Sequence, residues 1–138
     1  MRPDPIREGR RWLRQVQRNL DDARYSQAGG RYHLACFLSQ QAGEKALKGY
    51  LYAQGAGRVW GYSVADLVRK AASCDPVFEA LVRIGGTLDR HYIPTRYPNG
   101  LPGGIPTEAF DADDAEKPLR QAERVIRQVA EALQRLEG

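Results

Sequence analysis

Between successive breakers, apolar residues in this 138-residue chain return every three or four positions, and no stretch of alternating β-branched residues appears. The first spacing lays a stripe along one side of an α-helix, whereas a half-buried strand needs strict alternation. The cleanest case is Leu119, Ala122, Ile126, Val129, Leu133 and Leu136, whose spacing is nearly heptad. It predicts a final helix from about Asp113-Asp114, with Pro118 tolerated in its first turn, packed antiparallel against neighbours. No internal repeat or low-complexity tract interrupts the pattern. The expected fold is all-α, an up-and-down bundle of four to five helices forming a single domain over residues 1–138.

The remaining helices carry their own start and stop signals. Asp4-Pro5 opens the first, with Asp4 as cap and Pro5 where its missing N–H costs nothing. Trp12, Val16, Leu20 and Ala23 form its apolar face; Arg7, Arg10, Arg11, Arg14 and Arg18 form the opposite one, and Gly29-Gly30 ends it. A second helix is expected from about Arg31 to Gln54, with Leu34, Phe37 and Leu38 as early core positions and Ala46, Leu47, Tyr50 and Leu51 as late ones. Ser63 with Asp66 has the spacing of a capping box for a third helix. Asp75-Pro76 repeats the cap-plus-proline device for a fourth helix carrying Phe78, Leu81, Val82, Gly85 and Leu88. Residues 92–112 hold Pro94, Pro98, Pro102 and Pro106 among Gly100, Gly103 and Gly104, a density that predicts one long loop without helix or central strand. Loops of that length inside a compact domain are often functional.

Composition excludes several classes. No run of about 18 apolar residues exists, so no transmembrane helix is expected. The first residues lack the apolar core of a secretory signal. Cys36 and Cys74 are too few for a disulfide framework, so a reducing, cytoplasmic setting and two inert small side chains are expected. The net charge of +4 permits an anionic partner without demonstrating one. There is no phosphate-binding glycine loop, no H-E-x-x-H and no nucleophile elbow. His33 and Cys36 lie three apart, too few ligands for a metal site, so no metal is expected.

Two constellations carry the remaining chemistry. Gln41, Glu44, Lys45 and Lys48 recur at i, i+3, i+4 and i+7, on one helix face. Their plain reading is a solvated face with a Glu44–Lys48 pair, and their functional reading is the lining of a cleft or interface. The second is the run from Asp89 through Arg90, His91, Tyr92, Ile93, Pro94, Thr95, Arg96 and Tyr97 to Pro98. Aromatic rings beside guanidinium groups can stack a base and grip a phosphate, or simply pack a loop edge on the core.

Together these segments resemble the HEPN family (higher eukaryotes and prokaryotes nucleotide-binding domain). Small prokaryotic members carry a segment close to QQAAEKALKA, here Gln40-Gln41-Ala42-Gly43-Glu44-Lys45-Ala46-Leu47-Lys48-Gly49. They also carry one close to LDxxYIPTRYPD, here Leu88-Asp89-Arg90-His91-Tyr92-Ile93-Pro94-Thr95-Arg96-Tyr97-Pro98-Asn99. The resemblance implies a bundle of about five helices, a homodimer, and frequent pairing with a small nucleotidyltransferase protein, in some cases as a toxin–antitoxin module. In ribonuclease members the signature is R-x4-6-H, contributed across the dimer interface. Neither His33 nor His91 follows an arginine at that gap. Tyr62-Ser63 stands where relatives have His-Ser, and Gly43 and Gly49 replace the usual alanines.

The leading expectation is therefore a non-enzymatic HEPN component that binds a nucleotide or a nucleotidyltransferase partner without a resident cofactor. Its expected cluster is Gln41, Glu44, Lys45, Lys48, Asp89, Tyr92, Thr95, Arg96 and Tyr97. One alternative is a metal-independent RNase toxin using His91 and Arg96 as a variant site. Another is a structural dimer in which Glu44, Lys48, Asp89 and Arg96 form a buried ion-pair network.

Overall fold

The computed structural model describes residues 4–138, so the first three residues of the expected 1–138 domain lie outside the described part. Six α-helices occur among the described residues: α1 (Pro5–Ala28), α2 (Tyr32–Ala53), α3 (Val64–Cys74), α4 (Val82–Asp89), α5 (Pro106–Ala109) and α6 (Ala112–Glu137). No strand occurs among them, and none of these helices is long and apolar enough to cross a membrane.

The first helix begins as its sequence dictates. Asp4 accepts a hydrogen bond from the Ile6 amide at 3.0 Å, and Pro5 fills the first helical position. Val16, Leu20 and Ala23 are buried, Trp12 is half-buried, and the five arginines of the opposite face are exposed. Gly30, at φ 78°, makes the turn into α2. Helix α6 runs antiparallel to α1. Arg10 pairs with Glu137 at one end, and at the other Arg24 meets Glu123 and Gln27 meets Glu116, each at 3.1 Å.

Helix α2 lies at the centre, packed against α1, α6, α3, α4 and α5. That position overturns part of the periodicity reading. Leu34 is exposed and Phe37 and Leu38 are only half-buried, while Ala35, Cys36, Ser39 and Gln40 are buried. A helix covered on several sides turns small residues inward to let its neighbours approach, so bulk stops marking the core face. Gly49 meets α1 at Gly9 and Trp12, and a Cβ there would lie 2.7 Å from the Trp12 Cβ.

Ser63 caps α3 by accepting from the Asp66 amide at 3.1 Å. The fourth predicted helix is split into a 3₁₀ segment, Pro76–Leu81, opened by the Asp75 side chain on the Val77 amide, and α4 proper. Phe78 packs on Tyr50 with ring centroids 4.5 Å apart, in a core that also holds Leu47, Leu67, Leu81, Leu88 and Leu133.

The proline-rich segment departs from expectation. It contains a 3₁₀ turn, Pro98–Gly100, and the single turn α5. Both open on a proline, which favours a first helical position while forbidding an interior one. Helix α6 starts slightly earlier than predicted, on a full capping box between Asp111 and Asp114, which places Pro118 in the second turn. Proline supplies no N–H to the carbonyl four residues back, that of Asp114. The Cys36 thiol donates to this carbonyl at 3.4 Å. Burial first, then the charges of Asp114 and Asp111, push that thiol up to about 12. The periodic residues of α6 are buried except Leu136, which is exposed near the helix's C-terminal end.

Candidate functional site

The polar stripe of α2 is not a solvated face. Glu44 is 5% exposed and accepts from the Lys48 ammonium at 3.1 Å. Lys45 reaches across to Asn19 of α1 at 3.3 Å, and Gln41 donates to the side-chain oxygen of Gln40 at 2.8 Å. The i, i+4 pair exists as the spacing implies, but burial changes its meaning. Removing either partner of a buried pair strands the other charge, a cost of about 3–5 kcal/mol for full burial, against about 1 kcal/mol or less at an exposed surface.

Asp89, at the C-terminal end of α4, folds back onto the N-terminus of α3. Its carboxylate accepts from the Val64 amide at 2.7 Å, the Ala65 amide at 3.1 Å and the Ser63 hydroxyl at 2.9 Å. A helix N-terminus presents unpaired amides and a partial positive charge, so a carboxylate there is held by charge-assisted bonds. Fully buried Gln40 completes the node, donating to the Tyr62 carbonyl at 2.8 Å and to Asp89 at 3.4 Å.

Arg96 is held by rings. Its guanidinium lies 4.5 Å from the Phe37 centroid, 4.4 Å from Tyr92 and 5.1 Å from Tyr97. Tyr92 is itself stacked on Tyr62, at 4.4 Å with planes 7° apart. Arg96 Nε donates to the Tyr92 carbonyl at 2.9 Å. Its Nη groups make no hydrogen bond, and no carboxylate lies within ion-pair reach, among the described residues. Beside it is an open hollow of about 330 Å³ lined in part by His33, Phe37, Thr95, Ile105 and Thr107. A hydrogen bond of 2.6 Å from the Thr95 hydroxyl to the His91 carbonyl holds the loop's turn.

A family model described as HEPN domain matches residues 10–133. The chain belongs to the HEPN family. Among solved structures it is similar to TT1696 of Thermus thermophilus, with 39% identity, TM-score 0.85, and 91% of this chain and 98% of that one covered. It is also similar to ST0689, an archaeal HEPN homologue, with 36% identity, TM-score 0.76 and the same coverage of 91% and 98%. A HEPN domain protein of Thermotoga maritima, tm0613, shows 32% identity and TM-score 0.73, again covering 91% and 98%. No curated protein matches the chain.

Within this HEPN bundle the expected ion-pair network does not form. Glu44 takes Lys48, Asp89 takes backbone amides, and Arg96 takes aromatic faces. Asp89 and Arg96 are thus held by partners that carry no charge of their own. His91 packs near Phe110, at 6.1 Å between rings, with its Nδ1 buried and without a partner among the described residues. Burial chiefly, helped by Arg90 and opposed by Asp114, lowers its pKa. The histidine at the Arg96 hollow is instead His33, also lowered, by partial burial and then by Arg31. Sequence reasoning weighed His33 only as a metal ligand and left Gln40, Phe37 and Tyr62 out of the site. The stretch Tyr62-Ser63, noted as a departure from relatives, was the available signal for the last. Among the described residues no group of three or more His, Cys, Asp or Glu side chains is arranged to hold a metal ion.

Proposed function

We propose that this HEPN chain is a binding module whose ligand is a nucleotide seated at the Arg96 hollow. The observation that carries the reading is the guanidinium itself: positioned by three rings and one carbonyl, with both Nη groups unused at the edge of an open hollow. A planar fork with free donors suits a phosphate, and flanking aromatic faces suit a base. Isothermal calorimetry with ATP tests it. The expected result is saturable heat that falls at least tenfold in affinity in Arg96→Gln. No heat, and no competition at millimolar nucleotide, would overturn it.

The surroundings of the same hollow support a protein partner as well. Tyr97, Ile105, Ile93 and Leu34 are each between 39% and 49% exposed, more apolar surface than a loop needs. A second copy of this chain, or the nucleotidyltransferase that the resemblance implies, would cover it. Light scattering distinguishes a dimer from a monomer, and co-purification with a nucleotidyltransferase encoded alongside tests the second partner. The ribonuclease alternative has weaker support, because the half-buried His91 ring turns to Phe110, with its Nδ1 buried, while Arg96 faces a different set of rings. Equal RNA cleavage by the parent and His91→Ala would remove that assignment.

A further inference from the structure

Separately from the Arg96 hollow, the outer face of α1 concentrates the charge of the molecule. Residues 7–18 contain Arg7, Arg10, Arg11, Arg14 and Arg18 with a single acid, Glu8. Setting those six aside, the chain's 21 basic and 17 acidic residues become 16 of each, so the entire formal excess of +4 lies in this segment. At 3.6 residues per turn the five side chains fall within roughly a third of the helix circumference, directly opposite buried Val16. The ridge is ~16 Å long, from the 1.5 Å rise per residue.

Compensation along it is sparse. Arg10 pairs with Glu137, and Arg11 approaches Glu8 at 3.6 Å. Arg7, Arg14 and Arg18 have no ion pair among the described residues. Arg7, Arg10 and Arg14 also border a shallow hollow of about 390 Å³ with Leu13 and Gln17. Tyr25, 83% exposed, continues the same row about two turns beyond Arg18, past Asp21 and Asp22.

We propose that this ridge binds the phosphodiester backbone of a nucleic acid, without reading its sequence. Three features select that occupant. The cations are arginines, whose forked donors match phosphate oxygens. They stand in a line, as a strand of phosphates does, and over ~16 Å a duplex strand presents about five phosphates at 3.4 Å rise. The ridge carries no apolar row to enter a bilayer, since Leu13, at its edge, packs on the core. No side chain of the ridge belongs to the nucleotide hollow proposed above, so the two readings stand or fall separately.

Fluorescence anisotropy with a labelled 20-nucleotide single-stranded RNA and a labelled 20-base-pair DNA duplex tests it. With three unpaired arginines engaged, raising salt from 50 to 200 mM weakens binding by roughly 20-fold for the single strand or 40-fold for the duplex, from slopes of about −0.7 and −0.9 per phosphate. The size of that dependence counts the phosphates engaged, and the two affinities at one salt concentration say which form the ridge prefers. The variant Arg7→Gln/Arg14→Gln/Arg18→Gln, altered only at exposed positions, should keep the parent's helical circular dichroism and lose both the binding and its salt dependence. Arg96→Gln should bind as the parent does. No binding at 50 mM salt overturns the proposal. So does unchanged binding in the triple variant, or loss confined to Arg96→Gln, which would assign the nucleic acid to the hollow. Sedimentation with phosphatidylserine vesicles in the absence of any nucleic-acid binding would overturn it too, in favour of a membrane surface.

Discussion

Gly49→Ala sets two elementary effects against each other inside α2. Helix propensity alone favours alanine by about 1 kcal/mol. Packing opposes it. The new Cβ would lie 2.7 Å from the Trp12 Cβ, 3.3 Å from the Gly9 carbonyl oxygen and 3.6 Å from the Trp12 Cγ. Carbon atoms in contact prefer about 3.5–4.0 Å, so the closest approach is short by nearly 1 Å. The obstructing atom is the root of a side chain and cannot rotate away, so α1 and α2 must part. Overpacking of this kind costs about 1–3 kcal/mol. Shifting Trp12 also weakens its stacking on Tyr52, now 5.3 Å between centroids, a contact worth about 0.5–1.5 kcal/mol. The sum is a net loss of about 0.5–3.5 kcal/mol, or a fall in Tm of roughly 2–11 °C for a chain of this size. Gly86→Ala is the control: this residue is exposed in α4 and a Cβ there meets nothing within 4 Å. It should gain up to about 1 kcal/mol and melt higher. Thermal unfolding followed by circular dichroism at 222 nm reads both. A Gly49→Ala protein that melts at or above the parent would refute the close-packing argument.

Other positions give further tests. Asp89→Ala removes the acceptor of two α3 amides and the Ser63 hydroxyl and should cost about 2–3 kcal/mol in urea unfolding, against about 1 kcal/mol for Ser63→Ala, which removes the local cap and only one of the donors to Asp89. Equal costs would mean the long-range cap contributes nothing. Ellman's reagent should titrate exposed Cys74 rapidly in the native protein and Cys36, buried with its thiol pushed up to about 12, only after unfolding. The native His91 stays neutral at pH values where the unfolded chain takes up a proton, so stability should fall as pH drops below the ordinary imidazole value of ~6.5. His33 is shifted in the same direction, so His91→Asn should reduce the loss between pH 7.5 and 5.5 without abolishing it. An unchanged pH profile in His91→Asn would place the proton uptake elsewhere.

The helices were legible because their signals are local. Asp4-Pro5, Ser63 and Asp75-Pro76 act within three residues of themselves, and α6 faces the core with a single stripe. The interior of α2 was not, because a central helix is identified by what surrounds it. Gly43 and Gly49 looked like weak points for helix propensity; in the bundle their missing side chains make room for Leu88 and Trp12. The short turns at Pro98 and Pro106 were hidden for a related reason. A proline reads as a breaker from the residues before it and as a starter from those after, and residue spacing does not say which applies.

The candidate site divides along the same line. Glu44, Asp89 and Arg96 each need compensation, and expecting them to compensate one another was reasonable for charges near one helix. Only the Glu44–Lys48 pair left a trace in the sequence, since i, i+4 neighbours meet on any helix. Asp89 is compensated by amides of Val64 and Ala65, groups that every non-proline residue carries, so no residue type announces them. Arg96 is compensated by rings drawn from α2 and the loop, and many tyrosines could have served. The three solutions are not equivalent in what they leave over. A carboxylate on two amides and a hydroxyl is largely consumed, and so is the close Glu44–Lys48 pair. A guanidinium on aromatic faces is steadied through its plane while the donors at its edge stay free. Of the three, Arg96 is therefore the charge that the fold positions without using up, and the proposed nucleotide site rests on that surplus.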